Sequence, residues 1–257
     1  MRTLYFDCFS GISGDMTVGA LIDLGVDPIV IEKELRKLKL ESEYSLSWEK
    51  VLKNGISAVQ FHVNVEYNPN PKDDHHYKKS HGHRHFSHIM EMIKNANFNE
   101  RVTEISLEIF DKVALSESKI HNIPLEKVHF HEVGAIDSII DIVATAICID
   151  LLNPDEIISS PVPVGSGTIK IDHGYYPVPA PATLDLLKGI PLKETNIEGE
   201  LTTPTGAGIL ATLIDKFQTM PSIKIEQIGY GAGTKTFKNH PNVLRLVIGE
   251  RVERNET

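Results

Sequence analysis

The sequence predicts an α+β fold, one compact body of mixed helices and short strands. Three observations lead there. Apolar residues recur at helical spacing in two segments, 27–38 (Ile31, Leu35, Leu38) and 100–121 (Val102, Ile105, Ile109, Val113, Ile120). Alternation over 58–65 puts Val59, Phe61, Val63 and Val65 on one face and Gln60, His62 and Asn64 on the other. The two kinds of segment do not follow one another with the regularity of a doubly wound sheet.

The elements follow in order. Residues 4–9 are short and aromatic and read as a buried strand. A turn at 10–15 leads into a helix over 16–24, which Gly25 stops. Asp27-Pro28 opens a second helix, and strands are expected at 44–48 and 58–65. Residues 67–85 have no apolar periodicity and read as a mobile, histidine-rich surface loop or linker. Helices are expected at 87–95, with Ser87 as cap, at 100–121, and at 137–152 before Asn153-Pro154. Four glycines and prolines make 157–171 a strand interrupted by loop, and Pro177, Pro179 and Pro181 extend the chain before a short helix at 182–187. A turn at 202–208 enters a helix through 217. Strands at 223–228 and 243–248 flank a glycine-rich hairpin loop at 229–233.

Composition narrows the function. The 257 residues suit one large domain or two small ones. With 26 basic and 35 acidic residues the net charge is −9, which disfavours nucleic acid and anionic membranes as partners. Two cysteines, Cys8 and Cys148, exclude a disulfide scaffold and a cysteine-rich zinc site. No secretory signal and no membrane-length apolar run is visible, so a cytoplasmic location is expected.

Four constellations could carry chemistry. His129 and His131 share a face in extended backbone, with Glu132 beside them, and Asp137 and Asp141 share a face of the following helix. That helix is otherwise strongly apolar, so two carboxylates on it call for a cation or a basic partner. Imidazole with carboxylate suits zinc, nickel or manganese; a solvated helix edge is the plainer alternative. The second is Ser10-Gly11-Ile12-Ser13-Gly14-Asp15, where a helix start could meet an anion or Asp15 could serve as N-cap. In the third, Thr202, Thr203 and Thr205 make either a phosphate cradle or an ordinary cap. The fourth is the run His75, His76, His81, His83, His85 and His88, suited to loose binding of a divalent ion. His173 and Lys235 lie in loops where a ligand could be met.

Several blocks, in order, resemble one family. They are 6–16 (FDCFSGISGDM), 128–142 (VHFHEVGAIDSIIDI), 161–167, 173–183, 200–207 and 229–233. Together they are similar to the LarC family of nickel insertion proteins. The resemblance implies a metal chelatase of the lyase class. It would insert Ni2+ into pyridinium-3,5-bisthiocarboxylic acid mononucleotide, bonding the metal to two sulfurs and one ring carbon of a nickel-pincer cofactor. On this reading His129, His131, Asp137 and Asp141 hold nickel, with His75, His76, His81, His83 and His85 as the loose store. His131, Glu132 or Asp141 takes the ring proton. Ser10, Ser13, Asp15, His173, Thr202, Thr203, Thr205 and Lys235 bind substrate. The family uses CTP with Mn2+ or Mg2+ through a C-terminal domain, so this chain resembles the N-terminal part, divisible into 1–66 and 86–250 around the loop at 67–85. A homo-oligomer is expected, and a nickel carrier without chemistry of its own is the alternative.

Overall fold

The computed structural model describes residues 1–66, 84–128, 135–171 and 174–252. In chain order its elements are β1 (Arg2–Asp7), α1 (Gly14–Asp23), α2 (Pro28–Leu35), β2 (Tyr44–Lys53), β3 (Ile56–Val65), α3 (Phe86–Asn95), α4 (Glu100–His121) and α5 (Ile136–Leu152). There follow β4 (Glu156–Ser159), β5 (Val162–Pro163), β6 (Gly165–Ser166), β7 (Thr168–Ile171), β8 (Gly174–Pro177), α6 (Pro181–Leu186), β9 (Leu192–Lys193), β10 (Gly199–Glu200), α7 (Pro204–Leu213), β11 (Lys216–Phe217), β12 (Ile223–Ala232) and β13 (Val243–Arg251).

Seven strands form a mixed sheet in the order β11-β4-β1-β13-β12-β3-β2. β1 runs parallel to β4 and antiparallel to β13, and β3 parallel to β12. Leu4, Phe6, Leu246, Ile248 and Phe61 turn toward the helices and share one core with α1, α4 and α5. On the opposite face Tyr5, Val247 and Ile158 form a small cluster of their own. The α+β expectation holds, and the sheet takes strands from both sides of the histidine-rich segment. Four of the run's histidines, His75, His76, His81 and His83, lie outside the described residues.

Local chemistry explains the boundaries. Asp27 caps α2 by accepting from the Ile29 N–H at 2.9 Å, and Asn99 caps α4 by accepting from the Val102 N–H at 2.8 Å. β2 and β3 are longer than the sequence pattern suggests, because Asn54 (φ 48°) and Gly55 (φ 84°) make the left-handed two-residue turn that hairpin twist favours.

Three expectations are corrected. α3 starts at Phe86 with His85 at the N-cap position, so Ser87 lies inside the first turn and does not cap it. α7 ends at Leu213 rather than near 217. The Asp215 carboxylate accepts from the Ile157 N–H at 2.8 Å, and the chain joins β4 as the parallel edge strand β11. Residues 229–232 are strand, not hairpin loop. A Cβ on Gly229 would lie 2.2 Å from the Ala20 carbonyl oxygen, and one on Gly231 only 1.8 Å from that of Met16. The alternate glycines let α1 lie directly on β12.

Candidate functional site

The site forms where the chain leaves the carboxyl end of β1. Gly11 has a φ of 81°, and a Cβ there would meet the Leu201 carbonyl oxygen at 2.1 Å, so glycine is required. The resulting closeness lets the Ile12 N–H donate to the Leu201 carbonyl (3.0 Å) and the Thr203 N–H donate to the Ile12 carbonyl (3.1 Å). The second and third constellations of the sequence are therefore one structure, sewn backbone to backbone. Within it Thr202 Oγ1 donates to the Pro163 carbonyl (2.8 Å), and Thr203 Oγ1 accepts from the Gly206 N–H (3.2 Å) as the cap of α7. Thr205 is buried in the first turn.

Ser13, not Asp15, takes the N-cap position of α1, but its hydroxyl donates to the Asp15 carboxylate instead of capping. Burial raises the Asp15 pKa, opposed by the Ser13 hydroxyl, the Met16 N–H and the charge of His62 on β3. Asp141 reaches the same place from α5. Gly14 permits the approach: a Cβ there would lie 2.5 Å from Asp141 Oδ2 and 2.6 Å from its Cβ. Asp141 Oδ1 is buried and has no hydrogen-bond partner among the described residues. Burial, then the charges of Asp15 and Asp137, hold the Asp141 pKa well above the ordinary carboxylate range. The backbone N–H of Asp15 acts in the other direction and favours the charged form of the Asp141 carboxyl, but weakly.

Asp137 is exposed one turn earlier and accepts from the Ser138 N–H at 2.8 Å. Thr145, one turn later on the same stripe, is fully buried with a hydroxyl that has no hydrogen-bond partner among the described residues. Neither Asp15 nor Asp141 has a Lys or Arg partner among the described residues. Two carboxyl groups so placed repel once charged, and a divalent cation between them would offset both the repulsion and the desolvation. Among the described residues no group of three or more His, Cys, Asp or Glu is disposed to hold a metal. His129, His131, Glu132 and His173 lie outside the described residues.

Ser10 is fully buried, and its hydroxyl shares a 2.8 Å hydrogen bond with His240 Nε2. Lys235 stands 3.8 Å from Glu200, its acidic partner within the chain. His85 sits at the head of α3. Burial pushes the Cys8 thiol up to about 12, and its sulfur lies 3.5 Å from Ser159 Oγ as part of the packing behind the loop. Sequence reasoning missed Gly14 as the contact with Asp141, and it missed His240. The Gly-Asp pair at the helix start was a visible signal for the first; a lone histidine before Pro241 gave none for the second. A surface cleft lined by Met1, Met220, Pro221 and Val252 lies at the amino end of β1, away from this site.

A mixed sheet with a hydroxyl-rich loop at one strand end, where Asp15 and Asp141 meet without a Lys or Arg partner among the described residues, defines an α+β domain with a buried acid pair. The chain belongs to the nickel insertion protein family, whose sequence model matches residues 4–257. It is 54% identical over 250 residues to a protein of Geobacillus kaustophilus named pyridinium-3,5-bisthiocarboxylic acid mononucleotide nickel insertion protein, covering 97% of this chain and 60% of that one. A protein of the same name from Clostridium kluyveri is 46% identical over 256 residues, with coverages of 100% and 64%. A putative nickel insertion protein of Geotalea uraniireducens is 46% identical, with coverages of 98% and 62%. The chain thus spans 60–64% of the length of these relatives. No solved structure matches it.

Proposed function

We propose that this chain supplies the metal and substrate site for inserting nickel into pyridinium-3,5-bisthiocarboxylic acid mononucleotide, the activity for which its relatives in Geobacillus and Clostridium are named. The observation that carries the reading is the buried, unpartnered Oδ1 of Asp141 set against Asp15. Nickel is the substrate of this step. In the metal-free protein the raised pKa of Asp141 favours a neutral carboxyl; the arriving ion displaces that proton and gains an oxygen ligand. His129 and His131 supply imidazole nitrogen, with Asp137 at the rim. Forming the nickel–carbon bond breaks a ring C–H bond. The bonding pair passes to the metal and the proton to a base, for which His131, Glu132 and Asp141 are the candidates.

The hydroxyl-rich start of α7 suits the single phosphate of the mononucleotide, through Thr205 in the first turn more than through Thr202 and Thr203, whose hydroxyls already have partners. Ser10, Ser13 and Asp15 complete the substrate wall, with His173 and Lys235 as further contacts. His75, His76, His81, His83 and His85 act as a loose nickel store. CTP with Mn2+ or Mg2+ is assigned to a separate C-terminal portion, and the working form is a cytoplasmic homo-oligomer. No described helix is long and apolar enough to cross a membrane. The test is nickel binding by equilibrium dialysis with and without the pyridinium mononucleotide. Linked binding supports insertion. Independent binding makes the chain a nickel carrier without chemistry of its own.

A further inference from the structure

Phe9 follows β1 at the head of the loop that leads to Asp15 and is 41% exposed, yet it is held on several sides. The His240 imidazole stacks on it with centroids 4.7 Å apart and planes 21° apart. Phe237 buttresses His240 edge-on at 6.4 Å. The turn that carries both is closed by a bridge between Phe237 and His240 and by the left-handed Asn239 (φ 58°). The fully buried Ser10 hydroxyl fixes His240 Nε2 from below. Burial, then the charge of Lys193, lowers the His240 pKa, so the ring is neutral at neutral pH. The Lys193 ammonium lies over the Phe9 ring, 5.8 Å from its centroid. The result is a large aromatic packed against its neighbours with part of its ring open to water. Such a surface suits a flat, electron-poor ring, because the π face attracts positive charge and stacking needs no reorganisation.

We propose that Phe9 and His240 form the stacking platform for the ring of a pyridinium mononucleotide, and that Lys193 meets an acid group on that ring. The proposal rests on the nickel-insertion reading and adds residues to it. The loop 8–15 carries Phe9 at one end and Asp15 at the other, so one short segment joins the platform to the acid pair. A pyridinium cation takes the place of the Lys193 ammonium over the Phe9 face. The flexible lysine stem then swings its charge to the ring's carboxylate or thiocarboxylate. Neutral His240 does not repel the incoming cation.

The test is calorimetric titration of the chain with nicotinate mononucleotide and nicotinamide mononucleotide, which differ only in the ring acid, and with CTP. Phe9→Ala and Phe9→Leu should each weaken both mononucleotides about tenfold or more, the scale of lost base–aromatic stacking. Phe9→Trp should restore the affinity. Lys193→Ala should weaken nicotinate mononucleotide and leave nicotinamide mononucleotide unchanged. Nickel binding by the same variants without nucleotide should match the parent chain. If both Phe9 variants bind the mononucleotides as the parent does, the platform is overturned and the insertion reading stands. If they lose CTP alone, the platform serves a cytosine and the proposal is wrong. If the parent chain binds neither mononucleotide, the reading falls and the platform with it.

Discussion

Gly14 and Asp141 are fitted to one another at the scale of single atoms. A methyl group on Gly14 would occupy the place of the Asp141 carboxyl, so Gly14→Ala should destabilise the protein by about 1–3 kcal/mol, the usual cost of overpacking. It should also disturb nickel binding, because α1 and α5 must part. Thermal unfolding with and without nickel measures both effects. The loss should be smaller but not abolished in a Gly14→Ala, Asp141→Ala double variant, where the colliding carboxyl is gone and the Cβ at 2.6 Å remains. Of this arrangement the sequence displayed one half. The spacing of Asp137 and Asp141 on an apolar helix pointed to a group in need of a counter-charge. The other half, Asp15, read as a capping residue, because local spacing cannot show that a loop after β1 will meet a helix more than a hundred positions later.

At the scale of elements, α1 lies on β12 through Gly229 and Gly231, with backbone against backbone. Gly231→Ala should therefore cost more than an ordinary surface change, at least about 1–3 kcal/mol, and should lower the denaturation midpoint without altering nucleotide contacts directly. Thr203→Ala should cost about 1 kcal/mol as the loss of a helix cap. A proportionate fall in mononucleotide affinity would add a binding role, and unaltered affinity would leave Thr203 a cap alone. The glycine-rich stretch was misread from sequence for a physical reason. Glycines that permit a turn and glycines that permit a helix to approach look the same in one dimension. Helices α4 and α5, in contrast, were legible almost to the residue, because apolar residues recur at helical spacing along the first and Asn153-Pro154 closes the long apolar run of the second.

At the scale of the whole molecule, the sheet edge is held by a buried charge. Glu156 on β4 pairs with Lys216 at 2.9 Å and with Arg251 at 2.9 Å, so it ties β11 and β13 to the strand between β1 and the edge. Burial alone would raise its pKa, but the hydrogen bonds from Lys216 and Arg251 outweigh that and lower it. A depressed folded-state pKa means a stabilising contribution that is complete above the unfolded carboxylate range, about 4.3, and lost as pH falls through the folded value. Glu156→Gln should accordingly be less stable than the parent at neutral pH, by about 1–3 kcal/mol given that both partners are partly solvated. The two should converge below about pH 4, which urea titrations over a pH series would read. The overall α+β class was legible from periodicity, but the strand order was not, since β11 and β13 join through registers that no local pattern encodes.

The claim on which the account turns is that Asp141 is an acid kept buried for a cation. The most direct test is the melting temperature of the chain and its Asp141→Asn variant, each with and without nickel, in a background where His75, His76, His81 and His83 are alanine. Without nickel, Asp141→Asn should melt higher, because a carboxyl whose pKa is raised by burial and by Asp15 and Asp137 must take up a proton on folding at neutral pH, a cost the amide does not carry. Nickel should raise the melting temperature of the parent and leave that of the variant nearly unchanged. A variant that melts lower without nickel, or that gains as much from nickel as its parent does, would contradict the account.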